Sequence, residues 1–392
     1  MDSKYKITPF DYGEISIYIH WPFCTKKCPY CDFNSYVSNR VDYKLWLAGL
    51  KQSISNQQIF FKSKKIKSIF FGGGTPSLME PSSVFEIIEY FKNHNKSNGF
   101  GEIVEITLES NPSTFEIKRF EDFKQAGVNR LSTGIQSFNN ESLKFLGRNH
   151  SKNEAIKALE KSNEIFDRTS FDLIIGLPNQ TLNDWKKELN FALQFFKEHI
   201  SIYQLTIEEG TPFFRWGVPE AKEEVGEELY MHTLETLESK GVYQYEISNF
   251  AIKGAESIHN INYWKGGEYI GIGPNAHGRI FYNDTWFATK EYKNPNIWLE
   301  QSQAQQKRLI DTVVNPIFDE FSEINDEERF EELVLTSLRV NSPIDSKILD
   351  LLDKNKISNL IVEGLLDRQG NEIISTTKGR LCLNYMIQYL CL

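Results

Sequence analysis

Six short apolar runs punctuate the first half of the chain: Ile15–His20, Ser68–Phe71, Ile106–Glu109, Arg130–Gln136, Ser170–Ile175 and Ile200–Ile207. Each is rich in β-branched or aromatic residues and ends at a turn signal, which predicts buried strands. Between them lie stretches of mixed polarity that read as helices: Arg40–Phe60, Pro81–Asn93, Thr114–Ala126, Asn153–Asn163 and Leu182–Lys197. Strict alternation of strand and helix implies a parallel α/β sheet. Six such units in about 195 residues predict an incomplete (β/α)6 barrel, short of the usual eight units. A doubly wound open sheet is the rival. The unusual residues favour the barrel, because they gather at the C-terminal ends of successive strands. These are the Cys24–Cys31 loop, Gly72-Gly73-Gly74-Thr75-Pro76, Glu109-Ser110-Asn111-Pro112, Gln136-Ser137-Phe138 and Asp172 before Gly176-Leu177-Pro178. Barrel active sites are built at that rim.

The alternation stops after Gly210. Glu220–Lys240 reads as an amphipathic helix and Tyr243–Ile252 as a strand, followed by the aromatic, Gly-rich stretch Ile258–Ile280. From about Asn341 two short helical patterns precede a hairpin turning at Gln369-Gly370-Asn371, a winged-helix-like order. The expected division is residues 1–210 for the partial barrel, 211–310 for an α+β extension and 311–392 for a C-terminal helical, winged-helix-like domain.

Charge narrows the function. The formal net charge is −9, which argues against a general nucleic-acid footprint. The winged-helix-like tail from Asn341 balances six basic against six acidic residues, so DNA binding is the weaker reading there too. The N-terminal Met1–Lys6 is polar and lacks the apolar core of a secretory signal. No stretch is apolar enough to span a bilayer. A cytosolic protein with reduced thiols is expected.

Three of the five cysteines fall within eight residues, Cys24-Thr-Lys-Lys-Cys28-Pro-Tyr-Cys31. That suits a metal site better than a disulfide framework. A [4Fe–4S] cube normally takes four thiolates, so three leave one iron open for a ligand. Lys26 and Lys27 offset part of the negative charge. A zinc site with His20 as fourth ligand is the alternative. Cys382 and Cys391 stand alone and carry no assigned role. Gly72–Pro76 is not a phosphate loop, since no Gly-Lys-Ser/Thr follows, and Pro274 spoils Gly271–Ala276 as a dinucleotide fingerprint.

The run Tyr18-Ile-His20-Trp-Pro-Phe-Cys24 through Cys28-Pro-Tyr-Cys31-Asp-Phe-Asn-Ser resembles the cluster loop of radical S-adenosylmethionine (SAM) proteins. It is most similar to the group around oxygen-independent coproporphyrinogen III oxidase. The resemblance continues through Gly72–Pro76, Glu109–Pro112, Gly134–Phe138 and Asp172–Pro178 to Gly271–His277. It implies a [4Fe–4S] cluster on Cys24, Cys28 and Cys31, with SAM chelating the open iron and undergoing reductive cleavage. It also implies that Tyr18 and Tyr30 pack on the bound cofactor and that Gly73, Gly74 and Thr75 approach its methionyl part. Glu109, Gln136, Arg148 and Asp172 are implied contacts to one or two SAM molecules.

Two departures bear on the branch. The oxidases carry a fourth Cys two positions after the third, where this chain has Phe33. Only 23 residues precede Cys24, little room for the oxidases' longer N-terminal segment. In addition, His259-Asn260-Ile261-Asn262-Tyr263-Trp264 matches the His-Asn-x-x-Tyr-Trp pattern of the haem-chaperone branch. Neutral imidazole is a good axial ligand for haem iron. Tyr263 and Trp264 offer flat faces to a porphyrin. The resemblance therefore implies a chaperone that binds haem, cluster and SAM and delivers haem to apo-proteins such as respiratory enzymes. Peripheral membrane contact would come through those acceptors, and no nucleic acid is involved. The rivals are the decarboxylating oxidase and a radical SAM methyltransferase, so whether the chain is an enzyme stays open here.

Overall fold

The computed structural model describes residues 9, 13–38, 40–304 and 318–391. The polar run Met1–Lys6 lies outside them. The six expected strands are present as β1 (Glu14–Trp21), β2 (Lys65–Gly73), β3 (Glu105–Ser110), β4 (Arg130–Gln136), β5 (Arg168–Ile175) and β6 (His199–Gln204). They pair in parallel in chain order. Alternate residues of each strand face the helices. Ile17, Ile69, Leu108 and Leu131 are fully buried in one core with Leu50, Ile54, Ile87 and Phe91 of the helices Tyr43–Phe61 and Pro81–Ser97. Leu173 and Ile200 join a second core with Leu159, Trp185 and Leu189 of the helices Lys152–Ile165 and Leu182–Ala192. Each such side chain contributes roughly 1.5–3 kcal/mol of hydrophobic burial.

The sheet extends beyond the six units. Further strands are β7 (Tyr243–Glu246), β8 (Asn249–Ala251), β9 (Tyr269–Ile272), β10 (His277–Tyr282), β11 (Thr285–Glu291) and β12 (Phe318–Ile324). The strand order is β12-β11-β10-β9-β1-β2-β3-β4-β5-β6-β8-β7. The short β9 pairs in parallel with β1, so seven adjacent strands run parallel. The fold is the partial-barrel α/β class that the first half predicts, with antiparallel strands added at both ends.

Two elements differ from their sequence reading. Tyr243–Ile252 is a hairpin rather than one strand. The Glu246 carboxylate accepts from Ser248 N (3.1 Å) and from Asn249 Nδ2, folding the chain back at Ile247-Ser248. Thr114–Ala126 is two short helices, Thr114–Ile117 and Phe120–Gln125. Arg119 at the break donates to the carbonyls of Ser77 (3.1 Å) and Met79 (2.6 Å), anchoring the chain between them.

The floor of the barrel is a plug. Glu105 of β3 accepts from Ser257 Oγ (3.3 Å) and from the amides of Ile258 (3.1 Å) and His259 (3.0 Å). It thereby satisfies the free first-turn N–H groups of the helix Ile258–Trp264. Arg168 ties Glu105 (2.8 Å) to the carbonyls of Ala255 and Glu256.

At the C-terminus, helices Asp326–Arg339, Ser346–Leu349 and Lys354–Val362 precede an antiparallel hairpin, Leu366–Gln369 with Glu372–Ser375. Gly370 takes a left-handed φ of 66° in its two-residue turn. Leu333, Leu338, Leu360, Ile373 and Met386 form a separate core there. Arg380 joins this part to β7, donating to Gln244 Oε1 (3.1 Å).

Candidate functional site

The inner face of the sheet is polar and lines one cavity of about 310 Å³ at the C-terminal ends of the strands. The loop after β1 supplies its mouth. Gly74 N donates to Trp21 O (2.7 Å) and Thr75 N to Phe23 O (2.9 Å), stitching the turn after β2 onto the Cys loop. A side chain at Gly74 would meet the Phe23 carbonyl oxygen at 2.7 Å, and one at Gly73, at φ 109°, would meet the His20 ring at 2.6 Å. These two positions need glycine, and they bring bare backbone to the cavity wall.

Cys24, Cys28 and Cys31 all line the cavity. Cys24 is buried and the other two are half-buried. Burial raises the thiols of Cys24 and Cys31. Among the described residues no three His, Cys, Asp or Glu side chains converge on a single-ion site. His20 is also committed elsewhere: Nε2 donates to Asn34 O (2.9 Å), leaving Nδ1 to accept from Tyr18 OH (3.0 Å). His20 is thus engaged with Tyr18 and Asn34 rather than turned to the thiols. Three thiols that line one cavity are the donor set that a [4Fe–4S] cube with one open iron would take.

Arg148 reaches the site from the segment after Gly147. Its NH1 donates to Cys28 Sγ (3.6 Å) and its NH2 to Asn111 Oδ1 (2.5 Å) and Gly134 O (2.7 Å), while its buried Nε has no partner. Tyr30, beside Arg148, is held protonated by burial. Asn111 also donates to Thr75 Oγ1 (3.1 Å). Gln136 closes β4 with φ 69°, a strained conformation for a residue with a side chain, worth about 1–3 kcal/mol. Such strain is found where a side chain must point into a site.

Glu109 and Asp172 face one another across the cavity. Glu109 accepts from Gly73 N (3.2 Å). Burial, then the charge of Asp172, pushes its carboxyl up to about 8. Burial lifts Asp172 to about 6, against a hydrogen bond from Ser201 and the pull of Arg130 and Arg148. Asp172 lies inside β5 and lines the cavity. Thus the three cysteines and Tyr30, Gly73, Gly74, Thr75, Glu109, Gln136, Arg148 and Asp172 share one cavity. Tyr18 lies just behind the wall, where a side chain at Gly72 would meet its ring at 2.8 Å. The lining also includes Asn149, Tyr203, Gln204 and Glu208, which no motif singled out.

The His259–Trp264 hexapeptide sits elsewhere, in the floor plug. His259 is fully buried and stacked on Phe70 at 5.0 Å. Its Nδ1 lies 2.9 Å from Ser68 Oγ, which itself donates to Ser16 Oγ, so Nδ1 carries the proton. Nε2 then accepts from the Tyr263 hydroxyl. Burial, reinforced by Arg130, lowers the imidazole to about 3 and keeps it neutral. Trp264 is half-buried, with the Arg339 guanidinium 4.7 Å over its ring. Arg329 of the same C-terminal helix donates to Gly266 O. The structure therefore does not present His259, Tyr263 and Trp264 as one open face. The helix Asp326–Arg339 lies against Trp264 and Gly266, while His259 is buried against Phe70 and Ser68 of β2.

Comparison with known proteins agrees with this architecture. The Radical SAM superfamily profile matches residues 18–192. A haem chaperone HemW from Buchnera aphidicola (subsp. Schizaphis graminum) is 35% identical over 382 residues, covering 97% of this chain and 99% of that protein. A mitochondrial radical SAM domain-containing protein 1 from Danio rerio is 37% identical, covering 74% of this chain and 67% of its own. The solved coproporphyrinogen III oxidase HemN from Escherichia coli superposes with a TM-score of 0.78 at 20% identity, covering 96% of this chain and 89% of that one. At that identity the oxidase shares the fold alone. With a relative matched along nearly its whole length, this chain belongs to the HemW family of the Radical SAM superfamily.

Proposed function

We propose that this protein is a haem chaperone that binds a [4Fe–4S] cluster and SAM in the barrel cavity and haem at the floor plug. The observation that carries the reading is the 35% identity to a haem chaperone across 99% of its length. In this reading residues 1–210 hold the cofactor site, 211–310 carry the haem motif and 311–392 lie against it. Cys24, Cys28 and Cys31 would hold the cluster, and Arg148 would donate to the Cys28 sulfur. The bare backbone of Gly73 and Gly74 would let the methionyl part of SAM approach the wall. Glu109 and Asp172 would take its ammonium or ribose hydroxyls, with Thr75, Gln136, Tyr18 and Tyr30 closing the pocket. Bound there, the cluster supplies one-electron reducing chemistry beside the sulfonium.

His259 would ligate haem iron through Nε2, with Tyr263 and Trp264 against the macrocycle. That requires the Tyr263 hydroxyl to leave Nε2 and the Asp326–Arg339 helix to lift. Phe33, 58% exposed at the cavity mouth, stands where the oxidase pattern has its fourth Cys. The acceptors would be apo-haem proteins, met in the cytoplasm or at a membrane surface. No described helix is long and apolar enough to cross a membrane.

Two assays of the full-length, anaerobically reconstituted protein test the reading. It should retain haem with or without its cluster, and it should leave coproporphyrinogen III unconverted. Conversion to protoporphyrinogen would overturn the proposal in favour of the oxidase.

A further inference from the structure

The turn that ends the helix Asn140–Phe145 aims one side chain at a cysteine. Gly147 takes a left-handed φ of 70°. Its N–H donates to Lys144 O (3.0 Å), and Arg148 N donates to Leu143 O (2.9 Å), bonds that close the helix end. Gly147 also presses against the cysteine loop. A side chain there would meet Pro29 Cδ at 2.4 Å. Pro29 directly follows Cys28, and its carbonyl accepts from Phe213 N (3.0 Å). Backbone bonds therefore fix both sides of this contact, and glycine is what lets them close.

The guanidinium that follows is held on the side away from the loop. Its NH2 donates to Asn111 Oδ1 (2.5 Å) and Gly134 O (2.7 Å), and Asn111 is itself tied to Thr75 Oγ1 (3.1 Å). That leaves NH1 directed at Cys28 Sγ, 3.6 Å away. The lysines of the loop are placed differently. Lys27 Nζ donates to the carbonyls of Phe33 (3.1 Å) and Ser35 (3.2 Å), and Lys26 is exposed. The other two sulfurs meet hydroxyls: Cys31 Sγ lies 3.8 Å from Ser35 Oγ, and Cys24 bonds to Thr75 and Ser35. The three thiols are thus unequal, and Cys28 is the one with a fixed guanidinium on its sulfur. Arg is not deprotonated in proteins, so that charge is permanent.

We propose that Arg148 sets the reduction potential of the cluster: a fixed cation and hydrogen-bond donor on the Cys28 sulfur that makes the cube easier to reduce. The inference rests on the reading that Cys24, Cys28 and Cys31 hold a [4Fe–4S] cluster. It gives a second role to a residue otherwise read as a SAM contact. The couple takes one electron from a low-potential donor, and no bond is made or broken. Reduction adds one negative charge to the cube. A charged donor on a ligand sulfur stabilises that added charge, and hydrogen bonds to the sulfurs are among the factors that set such potentials.

The test is a redox titration of full-length reconstituted protein with dithionite, followed by electron paramagnetic resonance, beside iron analysis. SAM is left out, so that a lost SAM contact has no effect on the result. Arg148→Met should lower the midpoint. The ratio of reduced to oxidised cluster at the wild-type midpoint should fall about tenfold, which is about 59 mV for one electron. Arg148→Lys should recover part of the shift, because it keeps a charge but not the planar fork. Since the guanidinium does not titrate, the gap between wild type and Arg148→Met should stay constant between about pH 7 and pH 9. An unmoved midpoint at full iron content overturns the inference. So does a loss of iron with an unmoved midpoint in the cluster that remains, the result of a purely structural role. If Arg148→Met takes up no cube, Arg148→Gln removes the charge with a polar side chain and is judged by the same criterion. Wild type that takes up no cube overturns the cluster reading itself, whereas a full cube with an unmoved midpoint overturns the role of Arg148 alone.

Discussion

Tyr263 donates its hydroxyl hydrogen to Nε2 of His259, the nitrogen of that ring which carries the lone pair. Iron would need that same lone pair, so the two residues of the hexapeptide compete before they cooperate. Removing the hydroxyl should help the metal. Tyr263→Phe should bind haem about two- to tenfold more tightly, the worth of one hydrogen bond given up. His259→Ala should weaken haem retention and shift the Soret band, because an axial nitrogen is lost. Titration of both variants with haem checks this. Equal affinities for Tyr263→Phe, His259→Ala and wild type would place the haem elsewhere.

Arg339 lies over the Trp264 ring and belongs to the helix that lies against the plug. A cation–π contact of this kind is worth about 0.5–2 kcal/mol. Arg339→Ala should therefore speed haem association by about two- to thirtyfold while leaving SAM affinity unchanged. Stopped-flow mixing with haem measures the rate. An unchanged rate would mean that this helix does not limit entry.

Replacing Cys24, Cys28 and Cys31 together with Ala should abolish the brown chromophore of reconstituted protein. Wild type should hold about four irons per chain, one cube. Iron and acid-labile sulfide analysis decides it. A triple variant that still holds a full cube would reject this ligand set.

Glu109 links binding to stability with opposite signs. Its carboxyl rises from 4.5 to about 8 on folding, so the native state holds a proton that the unfolded chain has released. Its contribution to stability is complete below about pH 4.5 and is lost as pH rises through about 8. Glu109→Gln should thus stabilise the apo-protein near pH 8, by on the order of 2 kcal/mol, and do nothing near pH 4.5. The same variant, and Asp172→Ala, should weaken SAM binding about tenfold to a hundredfold. Melting curves at the two pH values and SAM titrations check both halves. A Glu109→Gln protein no more stable than wild type at pH 8 would contradict the raised carboxyl.

The cavity was legible in the sequence because its chemistry sits in short contiguous runs. Cys24–Cys31, Gly72–Thr75 and Glu109–Asn111 each end a strand whose apolar face is plain. What pairing alone brings in was not. Tyr269–Ile272 is only four residues with a glycine inside, and it becomes a strand by adding to the free edge of β1. Tyr203 joins the site through inward alternation on β6. His259 carries the same lesson. In the sequence it is an accessible ligand beside two aromatics; in the fold Glu105, 154 residues away, caps its helix and seats it in the barrel floor.

Haem transfer tests the central claim most directly. Full-length protein loaded with haem is mixed with an apo-haem protein, and the acceptor's Soret spectrum is followed, with His259→Ala run beside wild type. The account predicts transfer from wild type and its loss or marked slowing in His259→Ala. Wild type that never passes haem to an acceptor, or His259→Ala that passes it normally, would contradict it.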